Sequence, residues 1–338
     1  MKPATPPQGA TRFSKIRRCE HVSYCVARRL RFIPNGGALV EVTCRTIQGR
    51  FLLRPSEELR SLIVGVLARA QKLYPVEIHA FVFLSNHYHL LVSVEDAQRL
   101  ARFMNFVNSN LAREAGRLYQ WKEKFWGRRY QAIVVSEEEL AQANRLRYLL
   151  QQGCKEGLVA RPRDWPGAQC VSALVAGRPI RGRWVSRSQE YAARSRGETF
   201  RHRKYSTAEM IRLEPLPCWR HVSGSIYRSR VSSLIKEIEE ETAARHEREG
   251  TRPLGVGAIL AQHPHDRPEE PKRGLPPAFH VATKAARQGL AEAYRWFAVA
   301  YREASRKLRE GSLAAKFPQG SFPPALPFVG RYEEIAPG

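Results

Sequence analysis

The order of strand-like and helix-like segments between residues 38 and 135 is the feature that most restricts the possible folds. Four runs rich in β-branched and apolar residues predict strands: 38–46, 76–84, 87–94 and 131–135. Two segments with apolar residues at helical spacing predict helices: 57–73, with Ser56 as its N-cap, and 97–117. The order β-α-β-β-α-β is that of the ferredoxin-like split βαβ layout. We therefore predict an α+β fold, an antiparallel sheet with helices on one face, followed by a mostly helical C-terminal region.

The third predicted strand carries two histidines, His87 and His89, with one residue between them. Side chains on a strand alternate between the faces of the sheet, so both imidazoles point to one side and Tyr88 to the other. Two imidazoles on one face are half of a metal site and need further ligands. The pair also fits two ordinary hydrogen-bonded histidines. A second H-x-H, His263 and His265, lies in a Pro-rich segment without a strand and is not predicted to bind metal.

A second informative stretch covers residues 145–159, in a helix that is predicted to start at Ser136. Tyr148 and Gln152 are four residues apart and therefore share one helix face. Gly153 is predicted to cap the helix, so that the negative end of its dipole lies near Gln152 and attracts a cation. On spacing alone, Tyr148 also fits a core tyrosine.

These two stretches resemble the IS200-like single-tyrosine transposases of the HUH endonuclease superfamily, and among them the branch associated with repetitive extragenic palindromes. The strand motif of that family, N-H-hydrophobic-H-L-L-V, is similar to N-H-Y-H-L-L-V at Asn86–Val92. Its helix motif, Y-I-x-x-N-P-V-x-x-G-L-V, is similar to Y-L-L-Q-Q-G-C-K-E-G-L-V at Tyr148–Val159. The second motif departs from the family at Gln152–Cys154. The resemblance covers residues 35–170, less than half of the chain.

The resemblance implies a site and a reaction. His87 and His89 would be ligands of a divalent metal, Mg²⁺ or Mn²⁺, with Gln152 as the third ligand. Gln at this position resembles other members of the family, in which it binds the metal. Tyr148 would be the nucleophile that attacks a DNA phosphodiester and leaves a 5′-phosphotyrosine for a later strand to attack. The chain would then be a metal-dependent transposase or a domesticated derivative, without a further cofactor.

Two other functions stay open at this point. The first is a DNA-hairpin-binding protein that keeps the fold but has lost turnover, as the departure at Gln152–Cys154 would allow. The second is a zinc hydrolase that uses His87 and His89, although the sequence offers no third histidine or carboxylate at a suitable spacing. Tyr130 is a rival nucleophile, but it precedes a strand and has no ligand-type residue four positions later.

The charge of the chain predicts a polyanionic partner. Its 56 Lys and Arg against 32 Asp and Glu give a formal net charge of +24, which favours nucleic acid. Arg-rich usage in the source organism would give a similar composition. Arg128 and Arg129 are predicted to contact DNA phosphates, although two solvated surface arginines fit the sequence equally well. The resemblance implies single-stranded DNA hairpins as the partner, and a homodimer is a further candidate assembly.

The sequence divides into four predicted regions: a basic arm at 1–34, the transposase domain at 35–170, a basic linker at 171–205 and a mostly helical region of unassigned role at 206–338. The six cysteines form no C-x-x-C pair, which is typical of free thiols in a reducing compartment. No apolar run reaches membrane-spanning length, and the N-terminus has no signal-peptide core. We therefore expect a cytoplasmic, bacterial-type protein associated with the nucleoid.

Overall fold

The computed structural model describes residues 29–198, 202–268 and 277–325. Most of the predicted basic arm, residues 1–28, lies outside them. The described strands are β1 (Ala38–Arg45), β2 (Glu77–Phe83), β3 (His87–Val94), β4 (Gln131–Val135), β5 (Ile180–Val185), β6 (Ser206–Ile211) and β7 (Phe279–His280). The described α-helices are α1 (Glu57–Leu73), α2 (Ala97–Leu118), α3 (Glu139–Leu150), α4 (Gln152–Lys155), α5 (Val171–Ala176), α6 (Arg187–Ser195), α7 (Gly224–Glu249), α8 (Val256–Ala261) and α9 (Lys284–Arg309).

The main sheet has the strand order β2-β3-β1-β4-β7. β1 pairs antiparallel with both β3 and β4, and β2 pairs antiparallel with β3. These four strands form the predicted split βαβ sheet, and the α+β class is confirmed. The short strand β7 is added in parallel to β4, so the complete sheet is mixed.

Helices α1 and α2 cover one face of the sheet, and each begins with a side-chain cap. Ser56 accepts a hydrogen bond from the amide of Leu59, as predicted, and Asp96 caps α2 in the same way. Tyr88 of β3 is fully buried on this face, where its hydroxyl donates to Oδ1 of Asn108 in α2 at 2.7 Å. His87 and His89 therefore face away from α1 and α2, toward α3.

The segment predicted as a basic linker contains secondary structure. β5 pairs with β6, and the two-stranded sheet packs against α1. The ring of Trp184 stacks on Phe106 of α2 with the ring centroids 5.4 Å apart. Nε of Arg187 donates to Glu114 at 2.7 Å, and Nη1 of Arg187 donates to Glu190 at 2.6 Å. Several charges of this segment thus belong to ion pairs between packed elements.

The described part of the C-terminal region is mostly helical, as predicted. α7 packs against α3, α4 and α5, and α9 packs against β7. None of the helices in the described ranges is long and apolar enough to span a membrane.

At Gly65, helix α1 approaches β5 so closely that there is no room for a side chain. A Cβ atom on Gly65 would overlap the backbone carbonyl of Arg183. We expect Gly65→Ala to lower the free energy of unfolding by about 1–3 kcal/mol, the usual cost of overpacking. Gly289 of α9 is the matched control, since nothing lies within 4 Å of the position that a Cβ atom would take there. Gly289→Ala should instead stabilise by up to about 1 kcal/mol through helix propensity. Urea denaturation measures both, and equal stabilities for the two variants would contradict the close approach.

Candidate active site

The two histidines of β3 lie side by side on the face of the sheet that α3 covers. His87 is paired in register with Arg45 of β1, and His89 with Thr43. Their ring centroids are 5.1 Å apart. His89 is buried, whereas His87 is half-buried at the end of the strand. The sheet therefore holds the two imidazoles as neighbours, as the alternation of strand side chains predicts.

Hydrogen bonds fix the orientation of both imidazole rings. Nδ1 of His89 lies 2.6 Å from Oε1 of Glu41, and Nδ1 of His87 lies 2.6 Å from Oδ1 of Asn86. Both partners are acceptors, so each histidine donates its Nδ1–H and carries its lone pair on Nε2. Burial, aided by the positive charge of Lys155, lowers the pKa of His89 to about 3. Its contact with Glu41 is thus a hydrogen bond from a neutral ring, the arrangement that prepares Nε2 to bind a metal.

Glu41 is the buried carboxylate that links the histidine strand to the tyrosine helix. It lies on the central strand β1, is fully buried, and accepts from His89 through one oxygen. Its other oxygen pairs with the guanidinium of Arg145 in α3, which is also buried. A buried ion pair of this kind holds two secondary-structure elements in one geometry, because separating it leaves charge without solvent or partner.

Tyr148 projects from α3 toward the histidines. The centroid of its ring is 5.7 Å from that of His89, in an edge-to-face arrangement. Two cations lie over the ring: the guanidinium carbon of Arg145 is 4.4 Å from its centroid, and Nζ of Lys155 is 4.3 Å from it. The ring is therefore held by cation–π contacts, and of the two cations only Lys155 is exposed.

Gln152 lies on the turn that follows Tyr148, but the local structure differs from the predicted continuous helix. α3 ends at Leu150, and Gln152 opens the short helix α4. Nε2 of Gln152 donates to the carbonyl oxygen of Tyr148 at 2.7 Å, which fixes the buried amide group. The amide oxygen is therefore the atom of this side chain that is suited to bind a metal.

Two predictions about the ends of this helix are wrong. Gly153 is not the cap, because it lies inside α4, where a Cβ would come within 2.9 Å of a methyl group of Val159. Gly157 instead has the positive φ of +67° that favours glycine. The helix also starts at Glu139 and not at Ser136, since the hydroxyl of Ser136 donates to Glu138 at 2.7 Å.

The donor atoms of this site fit a divalent cation with mixed nitrogen and oxygen ligands. The Nε2 atoms of His87 and His89 and the amide oxygen of Gln152 are donors that Mn²⁺ accepts, and Mg²⁺ accepts the oxygen. Within residues 29–198, 202–268 and 277–325, no group of three or more His, Cys, Asp or Glu side chains could hold a metal ion. A metal at this site would therefore depend on an amide and on substrate oxygens as well as on the two imidazoles.

Arg128 and Arg129 are exposed beside the end of β1. The amide of Gly127 donates to the carbonyl of Arg45 at 3.0 Å, and the thiol of Cys44 lies 3.6 Å from the carbonyl of Arg128. Arg45 is the register partner of His87, so Arg128 and Arg129 lie near the end of the sheet that carries the histidines.

The other tyrosines considered as nucleophiles are placed differently. Burial raises the pKa of Tyr130, whose hydroxyl is enclosed and has no hydrogen-bond partner among the described residues. Burial also raises the pKa of Tyr88, which lies on the opposite face of the sheet. The structure brings Tyr148 into contact with His89 of the pair.

Three residues that contact the site were missed from the sequence: Glu41, Arg145 and Lys155. Glu41 could have been noticed as a single acidic residue inside an apolar strand that is predicted to be central. Arg145 precedes Tyr148 by three residues and so shares its helix face. The contact of Lys155 with the ring of Tyr148 could not be predicted from the sequence, because it depends on the break between α3 and α4.

Helix α7 also contacts the tyrosine helix from outside. Nη2 of Arg147 pairs with Glu241 at 2.5 Å, and Nη2 of Arg245 donates to the carbonyl of Cys154 at 2.6 Å. These contacts hold the turn that carries Gln152 against the C-terminal region.

The residues of this candidate site fall within a match to a known protein family. The model of the family described as "Transposase IS200 like" matches residues 50–152, which include His87, His89, Tyr148 and Gln152. No curated protein matches the chain. A solved REP-associated tyrosine transposase bound to a REP hairpin is 18% identical with a TM-score of 0.36, covering 43% of this chain and 83% of that one. A candidate transposase from Deinococcus radiodurans R1 is 16% identical with a TM-score of 0.25, covering 32% of this chain and 88% of that one. Residues 50–152 of this chain, about a third of its length, are therefore similar to the IS200-like transposase family.

Proposed function

We propose that the chain is a DNA transposase that cuts and rejoins single strands through a 5′-phosphotyrosine at Tyr148. The observation that carries the proposal is the contact between Tyr148 on α3 and His89 on β3, whose ring centroids are 5.7 Å apart. Nucleophilic catalysis on a phosphodiester needs a hydroxyl beside groups that bind the phosphate, and this contact supplies that neighbourhood. The family match of residues 50–152 supports a transposase-type, DNA-binding function.

The reaction uses residues whose placement is described above. The Tyr148 oxygen forms a bond to phosphorus while the bond from phosphorus to the 3′-oxygen breaks, and the phenolic proton ends on the released 3′-hydroxyl. Arg145 and Lys155 hold the ring, and the exposed Lys155 attracts the phosphate. His87, His89 and Gln152 would hold a divalent cation, Mg²⁺ or Mn²⁺, which when bound neutralises phosphate oxygens and orients the phosphate for in-line attack.

The proposed substrate is single-stranded DNA that can form a hairpin. The net charge of +24 and the exposed pair Arg128 and Arg129 support a DNA partner. The homodimer and the location in the cytoplasm with the nucleoid stay predictions.

The test is to trap and map the covalent adduct. The protein is incubated with a pool of labelled hairpins carrying randomised single-stranded flanks, with Mn²⁺ or with EDTA, and a denaturing gel separates any adduct. Trypsin then cuts after Arg147 and Lys155, which leaves Tyr148 as the single tyrosine of its peptide. Tyr130 lies in a separate tryptic peptide, because Arg129 precedes it. We expect a Mn²⁺-dependent nucleotide mass on the Tyr148 peptide.

The same experiment identifies the alternative function. A native gel of the same samples measures hairpin binding, and tight binding without an adduct in Mn²⁺ would refute the enzyme and leave a DNA-hairpin-binding protein. An adduct on the Tyr130 peptide would refute the assignment of Tyr148.

If Arg128 and Arg129 contact DNA phosphates, they contribute to the salt dependence of the DNA-binding constant. If each guanidinium neutralises one phosphate of a single strand, Arg128→Gln with Arg129→Gln should reduce the slope of log K against log salt by about 1.4. Binding isotherms at several NaCl concentrations measure this slope. The control replaces Arg302 and Arg309, exposed on α9. An unchanged slope in the Arg128/Arg129 variant would contradict the contacts.

A further inference from the structure

A cluster of aromatic and basic side chains lies beside the candidate site and is used by none of its chemistry. It is formed by three segments that are distant in sequence: residues 50–54, 119–126 and 263–268. We call it the aromatic–basic surface. The third segment contains the H-x-H of His263 and His265, and it lies outside the residues that match the family.

Trp121 is the centre of this surface and is held from two sides. The guanidinium carbon of Arg50 lies 5.4 Å from the centroid of its ring, and the ring centroid of His265 lies 5.3 Å away. The indole N–H donates to the carbonyl of Lys124 at 3.2 Å. The half-buried indole is thus fixed in orientation before any ligand binds, which lowers the entropy that a stacking partner would cost.

His265 joins the three segments of the surface. Its backbone carbonyl accepts from Nη1 of Arg50, and its Nε2 lies 2.9 Å from the carbonyl oxygen of Tyr119. Nε2 must therefore donate to that carbonyl, so the ring is a structural link and Nε2 is not available to a metal. This geometry gives the second H-x-H a role in shaping the surface.

The outer part of the surface is exposed and positively charged. The three segments together contain five Lys or Arg and two acidic residues, a net charge of +3. Lys122, Lys124, His263 and Arg267 are all exposed. Basic side chains interleaved with aromatic rings are the combination that binds single-stranded nucleic acid, because the charges follow the backbone and the rings stack on bases.

The surface is linked to the histidine end of the sheet through hydrogen bonds of the buried residue Thr46. The amide of Thr46 donates to the carbonyl of Asn86 at 2.9 Å, and its hydroxyl donates to the carbonyl of Arg50 at 2.6 Å. Asn86 is the residue that orients His87, and Arg50 is the residue that packs on Trp121. The surface and the histidine end of the sheet are therefore neighbours, so unpaired DNA next to a phosphate at the histidines is within reach of the surface.

We propose that the aromatic–basic surface binds the unpaired DNA next to the cleaved phosphate, with Trp121 stacking on a base. The proposal rests on the proposed function, because that function places the cleaved phosphate of the DNA at Tyr148. Binding of DNA to the surface, however, needs neither metal nor cleavage. It gives residues 263–268, beyond the family match, the role of holding Trp121 and Arg50 in place through His265.

The experiment measures binding of a fluorescent oligothymidylate by anisotropy in EDTA, with a mixed-sequence duplex measured in parallel. Stacking of a base on an aromatic side chain contributes to the free energy of binding, so Trp121→Ala should weaken oligothymidylate binding about tenfold. Trp121→Phe should lose less than about threefold, since a ring remains. Trp296→Ala is the matched control, because Trp296 is 70% exposed on α9. It should leave the affinity unchanged.

A second variant avoids any effect of Trp121 on folding. Lys122→Gln with Lys124→Gln changes exposed side chains and should reduce the salt slope of oligothymidylate binding by about 1.4. Wild-type affinity in Trp121→Ala, an equal loss on duplex DNA, or an unchanged slope in the lysine variant would each overturn the proposal. An adduct at Tyr148 combined with any of these results would leave the proposed function intact. A tenfold loss in Trp121→Ala without any adduct in the wild type would support the surface and refute the enzyme.

Discussion

Replacing Tyr148 with Phe is expected to abolish the covalent protein–DNA adduct and to leave DNA binding within about twofold. The substitution removes the nucleophilic oxygen but keeps the ring between Arg145 and Lys155, which lie 4.4 and 4.3 Å from its centroid. Because phenylalanine has no hydroxyl, no phosphoester can form at this position, and the adduct should fall below detection. Single-turnover adduct formation at saturating hairpin DNA measures the rate, and a filter-binding titration in EDTA measures the affinity.

Tyr130→Phe is the matched control for this experiment. Tyr130 is also a half-buried tyrosine, but its hydroxyl is enclosed and has no hydrogen-bond partner among the described residues. It should form the adduct at the wild-type rate. A Tyr148→Phe protein that still forms the adduct would rule out the assigned nucleophile, and loss of adduct in Tyr130→Phe alone would transfer the role.

Replacing Glu41 with Ala is expected to lower the free energy of unfolding by about 3–5 kcal/mol, the usual cost of removing one partner of a buried ion pair. The variant would leave Arg145 buried without its counter-ion and the Nδ1–H of His89 without its acceptor. Burial already lowers the pKa of Arg145, which reflects the cost of keeping this charge away from water. Thermal and urea denaturation followed by circular dichroism measure the loss.

Two further variants separate the contributions of Glu41. Glu41→Gln keeps an acceptor for His89 but removes the charge that faces Arg145, so it should lose less stability than Glu41→Ala. The double variant Glu41→Leu with Arg145→Met should recover part of the loss, because apolar replacement of both buried ions removes the unpaired charge. Glu57→Ala is the surface control. The carboxylate of Glu57 pairs with Arg60 in the exposed first turn of α1, and an exposed ion pair contributes about 0–1 kcal/mol to the free energy of unfolding. Equal stabilities for Glu41→Ala and Glu57→Ala would contradict the buried link.

The sheet and the histidine pair could be predicted because their signals are local. Strand β4 matches its predicted range, since its apolar run follows polar residues and is paired on β1. Ser56 caps α1 because the hydroxyl and the amide that it satisfies are three residues apart. The shared face of His87 and His89 follows from the alternation of strand side chains alone.

The remaining features depend on contacts between residues that are far apart in sequence. The charges at 171–205 suggest a solvated linker, but Gly65 and Gly182 allow the β5–β6 sheet to pack closely against α1. The start of α3 is delayed because the side chain of Glu138 accepts from Ser136 and from the amide of Ala282. The link from Glu41 to both His89 and Arg145 required the pairing of β1 with β3 and the position of α3 over that face.

Because β1 lies in the middle of the main sheet, a truncated domain needs this strand to fold. β1 ends at Arg45, before the first residue of the family match, yet it lies between β3 and β4. A fragment limited to residues 50–152 would lack the strand that joins the two halves of its sheet, and exposed strand edges of that kind promote aggregation. It would also lose the carboxylate of Glu41 and the support of Arg245 for the turn after Tyr148. A fragment that keeps both the sheet and the site intact must therefore begin before Ala38 and extend beyond Arg245.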